Sequence, residues 1–192
     1  MTDSKTVKVP PQDGPKEKLL CKCCEDRLHK YETYYANLVR RGIPEIIRIR
    51  ENIVSIPDFK YKSVRLILLS ILWRLSITSI PNFHIDLSSE NQEILRNAIL
   101  HDNPIEPDDF PIDTFLLHLN GESSKGLVIS PYEEKEFLDV VIGGILYRFS
   151  KVRFDINRNI KIPINKTQWL AKLKDMRNVK WLVNVSKKVK DL

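Results

Sequence analysis

The segment from Lys62 to Thr78 is the most apolar part of the chain, and it limits the fold more than any other feature. Its leucines and isoleucines are spread over nearly every side of a helix rather than along one stripe. A helix of this kind needs other elements around it to exclude water. Arg65 and Arg74 project about 180° apart at about 100° per residue, so each must reach the surface or find a carboxylate. The sequence therefore predicts a buried central helix.

Helical periodicity also appears before and after this segment. Apolar residues recur on one face from Glu25 to Arg40, which predicts a helix there. Ser88 or Ser89 is a suitable N-cap for a further helix that runs to about His101. The segment 43–60 has a mixed pattern that fits either a short helix or an irregular stretch.

The apolar period changes to two after a proline-rich acidic loop at 103–111. Strands are predicted at Thr114–Asn120 and at Gly126–Ser130. The segment Glu136–Val152 predicts either one long strand or a hairpin about the glycines at 143 and 144. Residues 160–164 could add an edge strand.

The C-terminal region completes the predicted architecture. Thr167 is a candidate N-cap for a helix that ends at Met176, and 180–190 fits helix or strand. Together the patterns predict an α+β fold. A flexible segment at 1–18 precedes a helical half at 19–110, and a small antiparallel sheet with a closing helix follows at 111–192.

Length and composition indicate a globular protein. The 192 residues can bury a core. Residues 1–18 lack the apolar centre of a signal peptide, and the longest apolar run, 66–73, is too short to span a bilayer. All three cysteines lie within four residues, which is not a disulfide framework. We therefore expect a reducing, cytoplasmic setting.

Charge is distributed unevenly along the chain. Residues 63–150 contain 6 Lys and Arg against 13 Asp and Glu, whereas residues 151–192 contain 12 against 3. A basic block of this kind favours DNA or RNA as a partner, or an acidic protein surface. It could also dock on the acidic middle of its own fold. The candidate nucleic-acid-binding residues are Lys151, Arg153, Arg158, Lys161, Lys172, Lys174, Arg177, Lys187 and Lys188.

Cys21 and Cys24 have the C-x-x-C spacing of a zinc knuckle, at the predicted start of a helix. Two thiolates supply half of a tetrahedral zinc site. His84, His101, His118 or a second chain could complete it. In a standard knuckle Cys23 would point away from the ion. The alternative is that the cysteines form a buried apolar cluster.

Two histidines are candidates for catalysis. His84 is followed closely by Asp86, and His101 is followed by Asp102, so each could act as a general base beside an orienting acid. The alternative is that His84 belongs to a surface loop and that His101 sits at a helix C-terminus for electrostatic reasons. Whether the protein is an enzyme is left open at this point.

Several stretches resemble a family of largely uncharacterised bacterial proteins. They are the stretch from Gln12 to Tyr34, which contains the motif C-x-x-C-E, the Ser-Ile-Leu-Trp-Arg segment at 70–74, and Asn103-Pro104 with Pro107-Asp108. The family is similar to HNH endonucleases with treble-clef zinc sites. The resemblance implies that Cys21 and Cys24 are the downstream zinc ligands. It also implies a nucleic-acid-associated role, with phage defence as one setting.

The chain departs from the family upstream of the knuckle. Members usually carry a further C-x-x-C and a Ser-His-Ile stretch, but residues 1–20 contain neither Cys nor His. No catalytic histidine therefore transfers. We expect a degenerate member, or one completed by a protein partner or a homodimer; an active form would be a metal-dependent nuclease. The alternative function is a non-enzymatic interaction or regulatory subunit that binds an acidic protein.

Overall fold

The computed structural model describes residues 17–40, 46–124, 128–150 and 164–184. They form the predicted α+β fold, in which helices cover one face of an eight-stranded sheet. The elements are α1 (Lys22–Arg40), β1 (Ile47–Arg50), β2 (Ile53–Ile56), α2 (Tyr61–Ile77), α3 (Ser89–Leu100), β3 (Ile112–Leu119), β4 (Glu122–Ser123), β5 (Ile129–Glu133), β6 (Phe137–Ile142), β7 (Ile145–Ser150) and β8 (Trp169–Asp175). A 3₁₀ turn (Met176–Asn178) leads into helical residues 180–184, here termed the closing helix.

The sheet has the strand order β1-β2-β8-β3-β7-β6-β5, and the short β4 pairs with β3. Neighbouring strands are antiparallel except β3 and β8, which are parallel. Gly143 and Gly144 have φ values of 65° and 82° and connect β6 to β7. This positive φ favours glycine, so the segment after Glu136 forms the predicted hairpin rather than one long strand.

The main hydrophobic core lies between the helices and the sheet. α2 packs against both α1 and α3, and most of its length is buried, as the all-round apolar pattern predicts. α1 contributes one apolar stripe, and alternate residues of the strands face it. Tyr35 on α1 donates a hydrogen bond to the Tyr147 hydroxyl at 2.7 Å across this core. The N-cap of α3 is Ser88, whose hydroxyl accepts from the Asn91 backbone N–H at 3.2 Å.

The two arginines of α2 are satisfied in different ways. Arg74 pairs with Glu32 on α1 at 2.5 Å. Arg65 is fully buried, and no carboxylate of the described residues forms an ion pair with it. Instead it donates to three backbone carbonyls between α3 and β3, namely Ile105 at 3.3 Å, Glu106 at 3.1 Å and Phe110 at 2.7 Å. The buried guanidinium thereby fixes the acidic loop.

A second, smaller core lies on the opposite face of the sheet. It consists of inward residues of β3, β6 and β7 packed against the closing helix, namely Leu117, Val141, Leu146, Val179, Trp181 and Leu182. The candidate interface described below lies between this face and the closing helix.

The predicted helix at Thr167–Met176 is wrong, because these residues form strand β8. Trp169 and Ala171 are buried in the main core while the intervening residues face the other side, which is strand periodicity. Thr167 is not an N-cap. Its backbone N–H and that of Gln168 donate to the Asn165 side chain in a turn before the strand.

The prediction for residues 43–60 is also wrong where the structure describes them. A hairpin of β1 and β2 replaces the short helix or irregular stretch, and β2 pairs with β8. The sheet therefore includes strands from the first 60 residues and is larger than predicted. The second predicted strand is found slightly later, at Ile129–Glu133.

Some expected elements lie outside the described residues. This applies to 1–16, to 160–163 in the predicted edge strand, and to 185–190 in the C-terminal segment. Ile164 is not in a strand, although its backbone N–H donates to the Ile112 carbonyl at 3.2 Å. No helix in the described part of the chain combines the length and apolarity required to cross a bilayer.

Candidate nucleic-acid interface and thiol cluster

Basic and aromatic side chains share the sheet face that is opposite the main helices. Because successive residues of a strand point to opposite faces, burial of Trp169 and Ala171 in the main core places Lys172 and Lys174 on this second face. Phe115 of β3 pairs in register with Lys172. Arg148 of β7 pairs with Asp139 of β6.

A cleft of about 740 Å³ lies between this face and the closing helix. Its volume is within the range of about 300–1,000 Å³ that is usual for ligand sites. Strands β5 to β8 form one wall, and the 3₁₀ turn and closing helix form the other. The lining residues are Tyr132, Glu134, Phe137, Arg148, Lys174, Asn178, Val179, Lys180, Trp181 and Asn184.

Trp181 attaches the closing helix to the sheet. Its ring stacks on that of Tyr132, with centroids 4.9 Å apart and planes 6° apart. Its indole N–H donates to Asp139 Oδ2 at 3.0 Å. A buried tryptophan usually satisfies its N–H in this way. The cleft wall is therefore held by both a stacking contact and a hydrogen bond.

Arg148 is held by the same carboxylate. Its Nε and Nη2 donate to the two oxygens of Asp139, each at 2.7 Å, and Asp139 is fully buried. The guanidinium also lies 3.8 Å from the ring centroid of Phe137, a cation–π distance. Asp139 balances the charge of Arg148, and the planar group is fixed at the cleft surface.

Lys174 brings a positive charge to the cleft. Burial, and secondarily the positive charge of Arg148, lowers the pKa of Lys174 below its usual range. Its Nζ lies 4.9 Å from the Phe115 ring centroid, and no carboxylate of the described chain pairs with it. An anion in the cleft would offset both the burial of the ammonium group and its repulsion by Arg148. Lys180 adds an exposed ammonium at the opposite wall.

The structure places three of the nine predicted basic residues. Lys172 and Lys174 lie on the second sheet face, whereas Arg177 is on the 3₁₀ turn and pairs with Asp175 at 2.6 Å. The other six lie outside the described residues: Lys151, Arg153, Arg158, Lys161, Lys187 and Lys188.

Sequence reasoning missed the partners that shape the cleft. Arg148, Lys180, Tyr132 and Trp181 are not among the residues predicted to bind nucleic acid. One signal was available in the sequence. Asp139 and Arg148 each interrupt an otherwise apolar strand on either side of the Gly143-Gly144 turn, and such a pair in a hairpin predicts a cross-strand ion pair.

The three cysteines form a thiol cluster at the N-terminus of α1. All three Sγ atoms lie within 4.8 Å of one another, and those of Cys21 and Cys23 are 2.8 Å apart. Cys23 therefore points toward Cys21, not away from it as expected. Cys21 and Cys23 are exposed and Cys24 is half-buried, so the alternative of a buried apolar cluster does not describe them. The cluster is close enough to hold one metal ion.

The thiols of the cluster differ in acidity. Hydrogen bonds from the Cys23 thiol and from the Cys24 backbone N–H lower the pKa of Cys21 to about 7. The hydrogen bond with Cys21, together with partial burial, raises the pKa of Cys24 to about 11. Cys21 immediately precedes α1, and thiolates are favoured at a helix N-terminus. Cys21 is consequently the thiol that ionises first.

No fourth ligand joins the cluster within the described residues. His, Asp and Glu side chains there do not come within ligand distance of the three thiols. His29 lies on the same helix and contacts the Thr33 hydroxyl at 3.4 Å. His118, on β3, lines a separate pocket beside β1. The described chain thus offers three sulfur donors rather than the four ligands of a structural zinc site.

The two candidate catalytic histidines lie on separate segments. His84 Nδ1 is 3.0 Å from the Thr78 carbonyl, and its Nε2 is 3.8 Å from an oxygen of the exposed Asp86. His101 is the exposed C-cap residue of α3. Neither lines the cleft or joins the thiol cluster. A catalytic role for either one stays a prediction.

Comparisons with protein-family models, curated proteins and solved structures found no match to this chain. The resemblance to HNH-like proteins therefore stays a prediction.

Proposed function

We propose that the protein binds single-stranded nucleic acid in the cleft between the second sheet face and the closing helix. The observation that carries the proposal is the combination, in one cleft, of planar side chains with lysines that have no carboxylate partner in the described part of the chain. Single-stranded nucleic acids are bound by basic grooves that contact phosphates and by planar groups on which bases stack. Both kinds of group are present here.

Lys174 and Lys180 are the phosphate-binding residues in this proposal. Lys174 is half-buried and close to the positive charges of Arg148 and Lys172, so a phosphate oxygen would stabilise its charged form. Lys180 faces the cleft from the other wall. Lys172 extends the basic surface along β8.

Tyr132 and Arg148 are the stacking surfaces. Each packs against an aromatic ring: Tyr132 stacks on Trp181, and the Arg148 guanidinium lies over Phe137. This packing fixes the orientation of the Tyr132 ring and of the Arg148 guanidinium before a ligand binds, so less side-chain entropy is lost on binding. Both purine and pyrimidine bases can stack on such surfaces, and we therefore expect weak sequence preference.

Cleavage is not part of the proposal. No histidine is found among the described residues that line the cleft. The buried Asp139 is paired with Arg148, and Glu134, which lines the cleft, accepts a hydrogen bond from the Tyr132 hydroxyl at 2.6 Å. The proposed activity is binding alone.

Fluorescence anisotropy with a labelled oligothymidylate tests the proposal. The affinity should fall as salt rises, with a slope of about −0.7 in log K against log salt for each phosphate contact. Lys174→Gln should weaken binding and reduce the slope by about 0.7. Lys62→Gln removes the same charge from the helical side of the sheet and should change neither quantity.

A stacking variant separates this function from binding of an acidic protein. Tyr132→Leu should lower oligonucleotide affinity by about 1–3 kcal/mol and leave the weak binding of polyglutamate unchanged. Equal losses for both polyanions, or salt-insensitive binding, would contradict the proposal. Tight binding of polyglutamate with no retention of oligonucleotide would favour the interaction-subunit alternative.

A further inference from the structure

The thiol cluster offers a different donor set from the one the sequence predicts. The C-x-x-C spacing selects Cys21 and Cys24, but the structure adds Cys23 at a sulfur–sulfur distance of 2.8 Å from Cys21. These are the only cysteines of the chain. They lie within four successive positions at the start of one helix, so the cluster needs no distant contact.

Three sulfur donors suit a three-coordinate ion. At metal–sulfur bonds of about 2.3 Å, an ion at the centre of three sulfurs would separate them by about 4 Å, which is within the 4.8 Å span of the cluster. Cys21 and Cys23 are exposed, so their side chains can rotate apart by the required distance. Structural zinc is almost always four-coordinate, whereas Cu(I) is a soft ion that thiolates select.

We propose that Cys21, Cys23 and Cys24 bind one Cu(I) ion in a three-coordinate thiolate site at the N-terminus of α1. Each thiol loses its proton when its sulfur binds the ion. The local backbone is already fixed, since the Cys21 carbonyl accepts from the N–H groups of Cys24 and Glu25 at 3.0 Å each. The partial positive charge of the helix N-terminus stabilises the resulting anionic site.

An anaerobic titration of the reduced protein tests the site. Cu(I) is supplied as its acetonitrile complex against bicinchoninate, whose coloured Cu(I) complex reports the competition. We expect one Cu(I) per chain, and X-ray absorption should show three sulfur neighbours. The titration contains no nucleic acid, so its outcome is independent of the proposed binding function.

Cys23→Ser is the decisive variant. A zinc knuckle does not use Cys23, but the three-thiolate site does. Loss of an outer-shell contact weakens metal binding by about 10–100-fold, so loss of this ligand should weaken Cu(I) binding by more than about 100-fold. His29→Ala is the matched control on the same helix and should leave the affinity unchanged. Serine is a good residue at a helix start, so Cys21→Ser should fold and also lose Cu(I).

Three results would overturn the proposal. The first is an effect of Cys23→Ser below tenfold while Cys21→Ser abolishes binding. The second is a stoichiometry above one ion per chain, or dimerisation on loading, which indicates a cluster shared between chains. The third is Zn²⁺ binding with four protein ligands that outcompetes Cu(I).

Discussion

Asp139 joins the two walls of the cleft. The substitution Asp139→Asn should show how much this carboxylate contributes to the free energy of unfolding. The carboxylate is fully buried and accepts two hydrogen bonds from Arg148 at 2.7 Å and one from Trp181 at 3.0 Å. Asparagine has the same shape, but its amide group presents donors to the donors of Arg148. With its oxygen in the place of Oδ2, asparagine can keep the hydrogen bonds from Arg148 Nη2 and Trp181, but its NH₂ group then faces the Arg148 Nε–H, and the negative charge is lost.

The magnitude follows from what is left unpaired. Removing one partner of a buried ion pair costs about 3–5 kcal/mol. The Arg148 side chain is 27% exposed, so water can hydrate it in part. We therefore expect Asp139→Asn to lower the free energy of unfolding by about 2–4 kcal/mol. At about 2–4 °C per kcal/mol for a chain of this size, the melting temperature should fall by roughly 5–15 °C.

Urea unfolding followed by tryptophan fluorescence provides the measurement. Glu134→Gln is the control, because this carboxylate lines the same cleft but is exposed and contacts only the Tyr132 hydroxyl, at 2.6 Å. It should change stability by less than about 1 kcal/mol. In a double-mutant cycle, Asp139→Asn and Arg148→Met should be strongly non-additive. A stability of Asp139→Asn within about 0.5 kcal/mol of the wild type would refute the reasoning.

Three further predictions concern other parts of the fold. Arg65→Met leaves three backbone carbonyls, of which that of Phe110 is buried, without their donor, and urea unfolding should show a loss of about 2–4 kcal/mol; a neutral effect would mean that water replaces the guanidinium. Gly143→Ala should destabilise more than Gly121→Ala in thermal unfolding: both have positive φ, but only at Gly143 would the new Cβ meet Val39, at 2.7 Å. In metal-free protein, alkylation of Cys21 by iodoacetamide should rise with pH and reach half its maximum near its pKa of about 7, because the thiolate is the nucleophile. Mass spectrometry of the modified peptide checks this, and a midpoint in the ordinary cysteine range would contradict it.

The helices of the fold were more predictable from sequence than the strands. α2 and α3 follow directly from an apolar segment and from a serine N-cap, both of which are local signals. β8 was predicted as a helix because Thr167 is a candidate N-cap, and Trp169, Leu170 and Leu173 fit a helical face as well as a strand. The choice depends on pairing with β2 and β3, which are distant in sequence.

The candidate site was predictable only in part for the same reason. The excess of lysine and arginine after residue 150 pointed to Lys172 and Lys174. The cleft itself depends on the order of β8, β3, β7 and β6 across the sheet, which no local pattern encodes. At the thiol cluster, the spacing predicted the involvement of Cys21 and Cys24, but the side-chain direction of Cys23 became evident only from the start of α1.

The position of β8 has a consequence for how the chain folds during synthesis. This strand lies between β2 and β3, and it provides the pairing that joins the N-terminal hairpin to the rest of the sheet. Until the ribosome has released residues 169–175, β2 and β3 each present an unpaired edge, a known template for aggregation. The sheet can therefore close only after residues 169–175 have been synthesised, and a polypeptide that stalls before residue 169 would leave both edges exposed.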